Sequence, residues 1–165
     1  MHKYVCFVFL FLAFLSCNEN KGPVANETSE PASFSFQDYP KLIELEESVL
    51  PTVSSWPEYM ALENSIAVLK RATNTEDLKL AIDDLIDKEK ALAESTYPVE
   101  FDKLPIKSRQ QVFRTFLYKV KGNLQDNRAI QEGMEQLINA YNAYKKQYNF
   151  LSSTTLDPKL ILDEE

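Results

Sequence analysis

The sequence predicts an all-α protein, an up-down-up-down four-helix bundle with a short leading helix. Only three glycines occur in 165 residues, and no stretch alternates apolar and polar residues over the length of a strand. Four segments instead repeat apolar residues at three- and four-residue spacing, and short links join them. Segments of comparable length with short links favour antiparallel neighbours in one bundle.

The first two predicted helices lie in the N-terminal half of the bundle. Residues 39–50, YPKLIELEESVL, form the short amphipathic leading helix, which Pro51 ends. A second helix begins at Ser55-Trp56-Pro57-Glu58, which has the spacing of a capping box, and it ends near residue 72. Its inner face carries apolar residues at 3-4-3 spacing: Tyr59, Leu62, Ile66 and Leu69.

The third predicted helix starts after Thr75 and runs to about residue 95. Glu76 and Asp77 face the positive end of its dipole. Its inner face is predicted at Leu78, Ile82, Leu85 and Leu92. The link TYPVEFDKLP, with a proline near each end, then crosses the end of the bundle.

The last two predicted helices span residues 106–124 and 130–148. The first of these places Ile106, Val112, Phe113, Phe116, Val120 and Leu124 inward, and the second Ile130, Met134, Leu137, Tyr141, Tyr144 and Tyr148. Gly122, Asp126 and Asn127 favour a turn between them. Asn123 and Asn127 also fit the heptad frame of both segments, so one continuous helix with two polar layers stays open.

Four regions follow from these patterns. Residues 1–16 are a predicted signal peptide, residues 17–37 a lipidated N-terminus with a flexible tether, residues 38–151 the helical bundle, and residues 152–165 a C-terminal tail. The tether is assigned because it is rich in Asn, Glu, Ser and Pro and has no apolar period. A random coil of twenty such residues spans ~25 Å.

The first residues have the organisation of an export signal. A positive start at Lys3 precedes 12 consecutive apolar or aromatic residues, positions 4–15, and Ser16 then precedes Cys17. A bilayer-spanning helix needs about 20 apolar residues, so this run is too short to span. Such a pattern is typical of a cleaved signal peptide.

Phe14-Leu15-Ser16-Cys17 resembles the lipobox of bacterial lipoproteins. The resemblance covers the first 17 residues and implies that Cys17 is diacylated and becomes the N-terminus. It implies an exported chain held on the cell envelope through that lipid. Asn18, where inner-membrane lipoproteins have Asp, favours the outer membrane. An ordinary signal peptide, or an uncleaved anchor with an incidental Cys17, is the alternative.

Composition excludes several kinds of chemistry. Cleavage before Cys17 leaves 149 residues, and the loss of Lys3 leaves 17 basic against 25 acidic residues, a net charge of −8 instead of −7. That balance argues against a nucleic-acid partner. Cleavage also removes His2 and Cys6, so catalysis and zinc binding through His or Cys are excluded. We expect no cofactor, no metal site and no enzymatic activity.

Asp83-Asp84-Leu85-Ile86-Asp87 resembles the DDxxD motif of helical prenyl-transferring enzymes, in which carboxylates one turn apart hold magnesium against a diphosphate. The resemblance covers five residues, and such enzymes need a larger helical barrel with a second acidic motif. Neither is present in this sequence. Asp83 and Asp87 fall opposite the apolar stripe of their helix, which predicts a solvated acidic face.

Charge is distributed unevenly along the bundle. Residues 38–98 hold 13 acidic and 6 basic residues, whereas residues 99–150 hold 5 acidic and 9 basic ones. Basic residues also recur every seven positions: Lys107, Arg114, Lys121 and Arg128. This line is predicted to pack beside the acidic third helix; docking to an acidic lipid, polysaccharide or protein is the alternative.

One internal cluster of polar residues is a candidate binding site. Glu89 falls inside the apolar arc of the third helix, and Arg109 inside that of the fourth. In an antiparallel pair they lie at the same level, and burying either charge alone is costly. We therefore predict an inward Glu89–Arg109 pair, with Tyr141 beside it and Glu63 about one turn away. The tyrosines of the last helix are predicted to belong to the core, and a sugar-stacking platform is the alternative.

These patterns favour a non-enzymatic accessory lipoprotein that binds another envelope protein. The alternative is a carrier of a small acidic or amphiphilic ligand in the bundle core, with Arg109 as its anion anchor. The Glu89–Arg109 cluster would then be a pocket instead of a structural polar layer.

Overall fold

Residues 33–154, the part of the chain that the computed structural model describes, form five α-helices. Their bounds are α1 Leu50–Ser54, α2 Pro57–Leu69, α3 Thr75–Glu94, α4 Leu104–Gln125 and α5 Gln131–Thr154. Four helices are long, and no β-strand occurs among these residues. The predicted all-α bundle is confirmed, although its short leading helix occupies other residues than those predicted.

Each long helix packs antiparallel against the next one in the chain. Across each interface, the residue number falls on one helix as it rises on the other. The pairs that show this are Trp56–Ser95 and Ser65–Asp84 for α2 and α3, Asp83–Lys121 and Glu89–Arg114 for α3 and α4, and Gln110–Tyr144 and Lys119–Gln136 for α4 and α5. The order is therefore up-down-up-down, as predicted.

The connections follow local signals in the sequence. Asn74 caps α3, because its side chain accepts the Asp77 N–H at 2.8 Å. Between α4 and α5 the chain turns through Asn127, whose φ is 51°, so the predicted break is correct and the continuous helix is wrong. The predicted capping box does not form, since Trp56 is the N-cap of α2 and the Ser55 hydroxyl donates to Thr52.

A segment without regular secondary structure replaces most of the predicted leading helix. Residues 40–46 are not helical, and the short helix begins only at Leu50. Pro51 opens this helix instead of ending one, because proline is well suited to the first helical turn. We call residues 40–46 the strap. It lies along α5, where Asn142 and Asn149 bind its peptide groups.

The chain joins the bundle before residue 38, where the predicted tether ends. Phe34 is buried, stacks on Tyr39 with ring centroids 5.7 Å apart, and donates its N–H to Thr73 at 2.9 Å. At the C-terminal boundary of the predicted bundle, residue 151, α5 does not end but continues to Thr154. The predicted signal peptide, Cys17, most of the tether and residues 155–165 lie outside the described residues.

The bundle has two distinct ends. At the entry end, Ser33 pairs with Asn74 and Tyr39 bonds to Gln131 near the α4–α5 turn. At the far end lie α1, the link 95–103 and the C-terminal turns of α5, which meet where the Ser152 hydroxyl donates to Ser48 at 2.8 Å. Within residues 33–154, no helix has the length and apolar character needed to cross a bilayer.

Candidate functional site

Glu89 on α3 is bound inside the bundle by two side chains of α4. Only 1% of Glu89 is exposed. Arg114 donates to its carboxylate from Nε at 2.5 Å and from Nη2 at 3.0 Å, and Gln110 Nε2 donates at 3.0 Å. The Arg114 side chain is 37% exposed, so the pair joins a buried anion to a residue that stays in contact with solvent. The predicted burial of Glu89 is correct, although its partner is different.

Arg109, the predicted partner of Glu89, is exposed on α4. The buried positions of α4 recur at 4-3-4-3-4 spacing: Ile106, Gln110, Phe113, Leu117, Val120 and Leu124. The inner face is therefore centred on Gln110 and Leu117, and Val112 is exposed while Phe116 is only partly buried. The predicted Glu89–Arg109 pair is wrong, and a ligand carrier would lack the buried anion anchor assigned to Arg109.

Gln110 links Glu89 to the tyrosines of the core. While its amide N–H donates to Glu89, its carbonyl oxygen accepts the hydroxyls of Tyr97 and Tyr144. Tyr148 in turn donates to the Tyr144 hydroxyl. No buried side-chain nitrogen or oxygen within residues 33–154 lacks a hydrogen-bond partner. This fully satisfied polar layer suits a role in fixing helix register.

Glu63 and Tyr141 do meet, in a second cluster on the other side of the core. The Glu63 carboxylate accepts the hydroxyls of Tyr141 and Tyr59 and lies 3.4 Å from Lys145 Nζ. Lys145 is only 5% exposed and is the buried cation of the bundle that the sequence reading missed. The sequence contains a signal for the burial of Lys145. Residues 141 and 145 are four apart and share one face of α5, and Tyr141 is predicted to point inward.

Burial controls the titration of the core tyrosines. Desolvation raises the pKa of Tyr59, Tyr141, Tyr144 and Tyr148 well above the ordinary value of 10.0, because a phenolate inside the core would lose its hydration. Desolvation also raises the pKa of Tyr97 to about 12. These side chains therefore act as neutral donors. The predicted place in the core is confirmed for Tyr59 and for the three tyrosines of α5, Tyr141, Tyr144 and Tyr148.

A pocket of about 280 Å³ opens beside the Glu63 cluster. Apolar side chains from the strap, α1 and α2 line its walls, and Tyr59, Glu63 and Lys145 line its inner part. The apolar lining residues are Leu45, Leu50, Val53 and Met60. This volume is just below the range of about 300–1,000 Å³ typical of small-molecule sites.

A larger groove of about 510 Å³ lies at the far end. It is lined by residues of α1, the link between α3 and α4, and the end of α5: Ser48, Thr52, Val99, Glu100, Phe101, Lys103, Leu151, Ser152 and Thr154. Large apolar side chains are exposed around it. Val99 is 82% exposed, Leu104 next to Lys103 is 77% exposed, and Phe150 next to Leu151 is 60% exposed.

The basic line of α4 is largely paired within the protein. Arg114 bonds to Glu89 and Lys121 to Asp83 at 2.7 Å, both on acidic α3, as predicted. Lys107 instead lies 2.5 Å from Asp102, in the link before α4. Among residues 33–154, no group of His, Cys, Asp and Glu has the arrangement to hold a metal ion.

Comparisons of the chain with protein-family models, with curated proteins and with solved structures found no match. Function is therefore inferred from the residues themselves. The three features available for that inference are the satisfied polar core, the strap on α5 and the apolar far end.

Proposed function

We propose that this protein is an exported lipoprotein, anchored to the outer membrane through a diacylated Cys17, whose bundle is a non-enzymatic module for binding another envelope protein. The lipobox resemblance around Cys17 supports the anchor. The exposed apolar far end is the observation that carries the binding role.

The far end combines surface and groove in a way that suits a protein partner. Val99 lines the 510 Å³ groove, and Leu104 and Phe150, each next in sequence to a lining residue, also expose large apolar side chains. Clustered apolar side chains on a protein surface commonly mark interaction sites. Charged side chains of Glu100 and Lys103 line the same groove and would fix the orientation of the partner.

The position of the entry end supports the same role. The chain arriving from Cys17 joins the bundle at Ser33 and Phe34, beside the α2–α3 loop. The 20-residue helix α3 separates this end from the far end by ~30 Å at about 1.5 Å per residue. A lipid anchor on Cys17 would therefore be linked to the entry end, one helix length from the apolar far end, which leaves the far end available to a partner.

The anchor is tested by metabolic labelling with a clickable fatty acid. We expect label on the wild-type protein in the outer-membrane fraction, and no label on Cys17→Ala. Cys6→Ala is the matched control and should keep the label. Label that persists on Cys17→Ala would contradict the anchor.

Docking is tested by photo-crosslinking in the native envelope. A crosslinker at Val99 or Leu104 should capture the same envelope protein, whereas one at exposed Gln125 near the entry end should not. Val99→Ser and Leu104→Ser together should remove the product obtained from a crosslinker at Phe150. Equal capture from Gln125, or recovery of the monomer alone, would refute the binding role.

A further inference from the structure

The strap is held on α5 through its backbone by two asparagine side chains. Asn142 accepts the Ile43 N–H at 2.9 Å and donates to the Lys41 carbonyl at 2.9 Å. Asn149 accepts the Glu46 N–H at 3.0 Å and donates to the Glu44 carbonyl at 3.1 Å. Each asparagine therefore binds the two peptide groups that flank one leucine.

The spacing of the two asparagines matches an extended chain. They are seven residues apart on α5, which is ~10.5 Å along a helix that rises about 1.5 Å per residue. The bound leucines, Leu42 and Leu45, are three residues apart, which is ~9 Å in a polyproline-II-like chain, a conformation with three residues per turn and a rise of about 3.1 Å per residue. The helix therefore repeats the same backbone contact every third residue of its ligand.

Side chains and charge complete the recognition. Apolar residues occur at every third position, and all four pack against the core: Phe36, Tyr39, Leu42 and Leu45. Residues 38–47 carry four acidic residues and one basic residue. On α5, Lys145 is paired with Glu63, but exposed Lys146 also lies between the two asparagines in sequence, so this face of α5 favours an acidic chain with apolar residues three apart.

The strap is also held loosely between two firm attachments. Phe34 and Val49 are buried, but none of residues 35–48 is buried. Segments with little buried area and exposed hydrogen bonds open at low free-energy cost. Opening would uncover Asn142, which is only 9% exposed, together with the pocket above Glu63 and Lys145.

We propose that Asn142 and Asn149 form a backbone-reading peptide groove, and that it binds an extended acidic segment of a partner protein with leucine-sized side chains three residues apart. The strap is the resident competitor for this groove. This site depends on α5 and the strap, so it does not rest on docking at the far end.

A strap attached to its own groove has an effective concentration in the millimolar range, so a free peptide competes weakly with it. The test therefore weakens the strap in the full-length chain and measures binding of a labelled peptide by fluorescence anisotropy. The probe is the peptide FQDYPKLIELEE, residues 36–47, which contains the strap and its flanking residues. The variant Leu42→Ser/Leu45→Ser loosens the strap without altering α5.

We expect this variant to bind the peptide at least tenfold more tightly than wild type does. Adding Asn142→Ala and Asn149→Ala should weaken binding by about thirtyfold, as expected for the loss of their hydrogen bonds. The matched control Asn139→Ala, at an exposed position of α5, should have no effect. A peptide with both leucines changed to serine should not bind.

Ile43→Pro serves as a second opened variant, because proline has no N–H for Asn142 to accept. Circular dichroism establishes that each variant is folded. The proposal is overturned if both opened variants unfold, if neither binds the peptide, or if binding ignores the two asparagines. Asparagine-dependent dimerisation of an opened variant would also overturn it, because the occupant would then be a second copy of this chain.

Discussion

The Glu89 carboxylate on α3 and the Arg114 guanidinium on α4 form an ion pair with an Nε–Oε2 distance of 2.5 Å, in which the anion is buried and the cation reaches solvent. Arg114 is thus the group that makes the burial of Glu89 tolerable. The interaction also raises the pKa of Arg114, chiefly through its hydrogen bond to Glu89.

Arg114→Ala should lower the free energy of unfolding by about 2–3 kcal/mol, because it leaves a buried carboxylate with Gln110 as its remaining partner. Arg109→Ala, at the neighbouring exposed position, should change it by less than about 0.5 kcal/mol. Urea melts of Glu89→Ala, Arg114→Ala and the double variant measure the coupling between the two. Additive losses from the two single variants would show that the pair contributes no stability.

Gln110→Ala should lower the free energy of unfolding by about 2–3 kcal/mol. It removes the acceptor of two tyrosine hydroxyls and one donor to Glu89. The adjacent exposed residue gives the control, Gln111→Ala, for which little change is expected. Denaturant melts of both variants are compared with wild type. Equal stabilities would mean that water replaces the Gln110 side chain without loss.

Stability should fall steeply at alkaline pH. Below pH 10 the core tyrosines are protonated in both the folded and the unfolded chain. Above it the unfolded chain loses phenolic protons that Tyr59, Tyr141, Tyr144 and Tyr148 retain in the fold, because burial raises their pKa. Unfolding then becomes easier by up to about 1.4 kcal/mol per pH unit for each tyrosine.

Urea melts between neutral pH and about pH 12, combined with tyrosinate absorbance, measure this slope. Tyr148→Phe should reduce it by the contribution of one residue. A free energy of unfolding that stays constant above pH 10 would contradict the burial of these hydroxyls.

Gly122→Ala should stabilise the protein by about 0.5–1 kcal/mol, because alanine is the better helix former and no atom lies within 4 Å of the added Cβ. Gly133→Ala is the matched comparison on α5. There the added Cβ would lie 3.3 Å from Asn123 Nδ2 and 3.4 Å from Val120 Cγ2, so the stabilisation of the protein should be smaller. Thermal melts that rank Gly133→Ala above Gly122→Ala would contradict this reasoning.

Periodicity predicted the fold where the core positions are apolar. The inner faces of α2, α3 and α5 follow the expected residues, including Leu62, Leu85 and Tyr144. On α4 the buried Gln110 interrupts the apolar pattern, so an arc drawn through apolar residues alone shifts by one position and turns Arg109 inward. Sequence could not show this, because the burial of Gln110 depends on partners in the other helices and the preceding link.

The strap was misread for a different reason. Leu42, Leu45 and Val49 have the spacing of an amphipathic helix, but Leu42 and Leu45 also suit a chain with three residues per turn, in which every third side chain points the same way. What decides between them is the pair of amides at Asn142 and Asn149, about 100 residues later in the chain. Local pattern contains no information about such a distant partner.

That distance has a consequence for the order in which the protein folds. Ile43 and Asn142 are 99 residues apart, and Glu44 and Asn149 are 105 apart, so the strap can make these contacts only after α5 has been synthesised. Helices α2, α3 and α4 can pair as they emerge, since neighbours in sequence close small loops. The strap has to wait for the C-terminal turns of α5, and a chain truncated before Asn142 would leave residues 40–46 without a docking site.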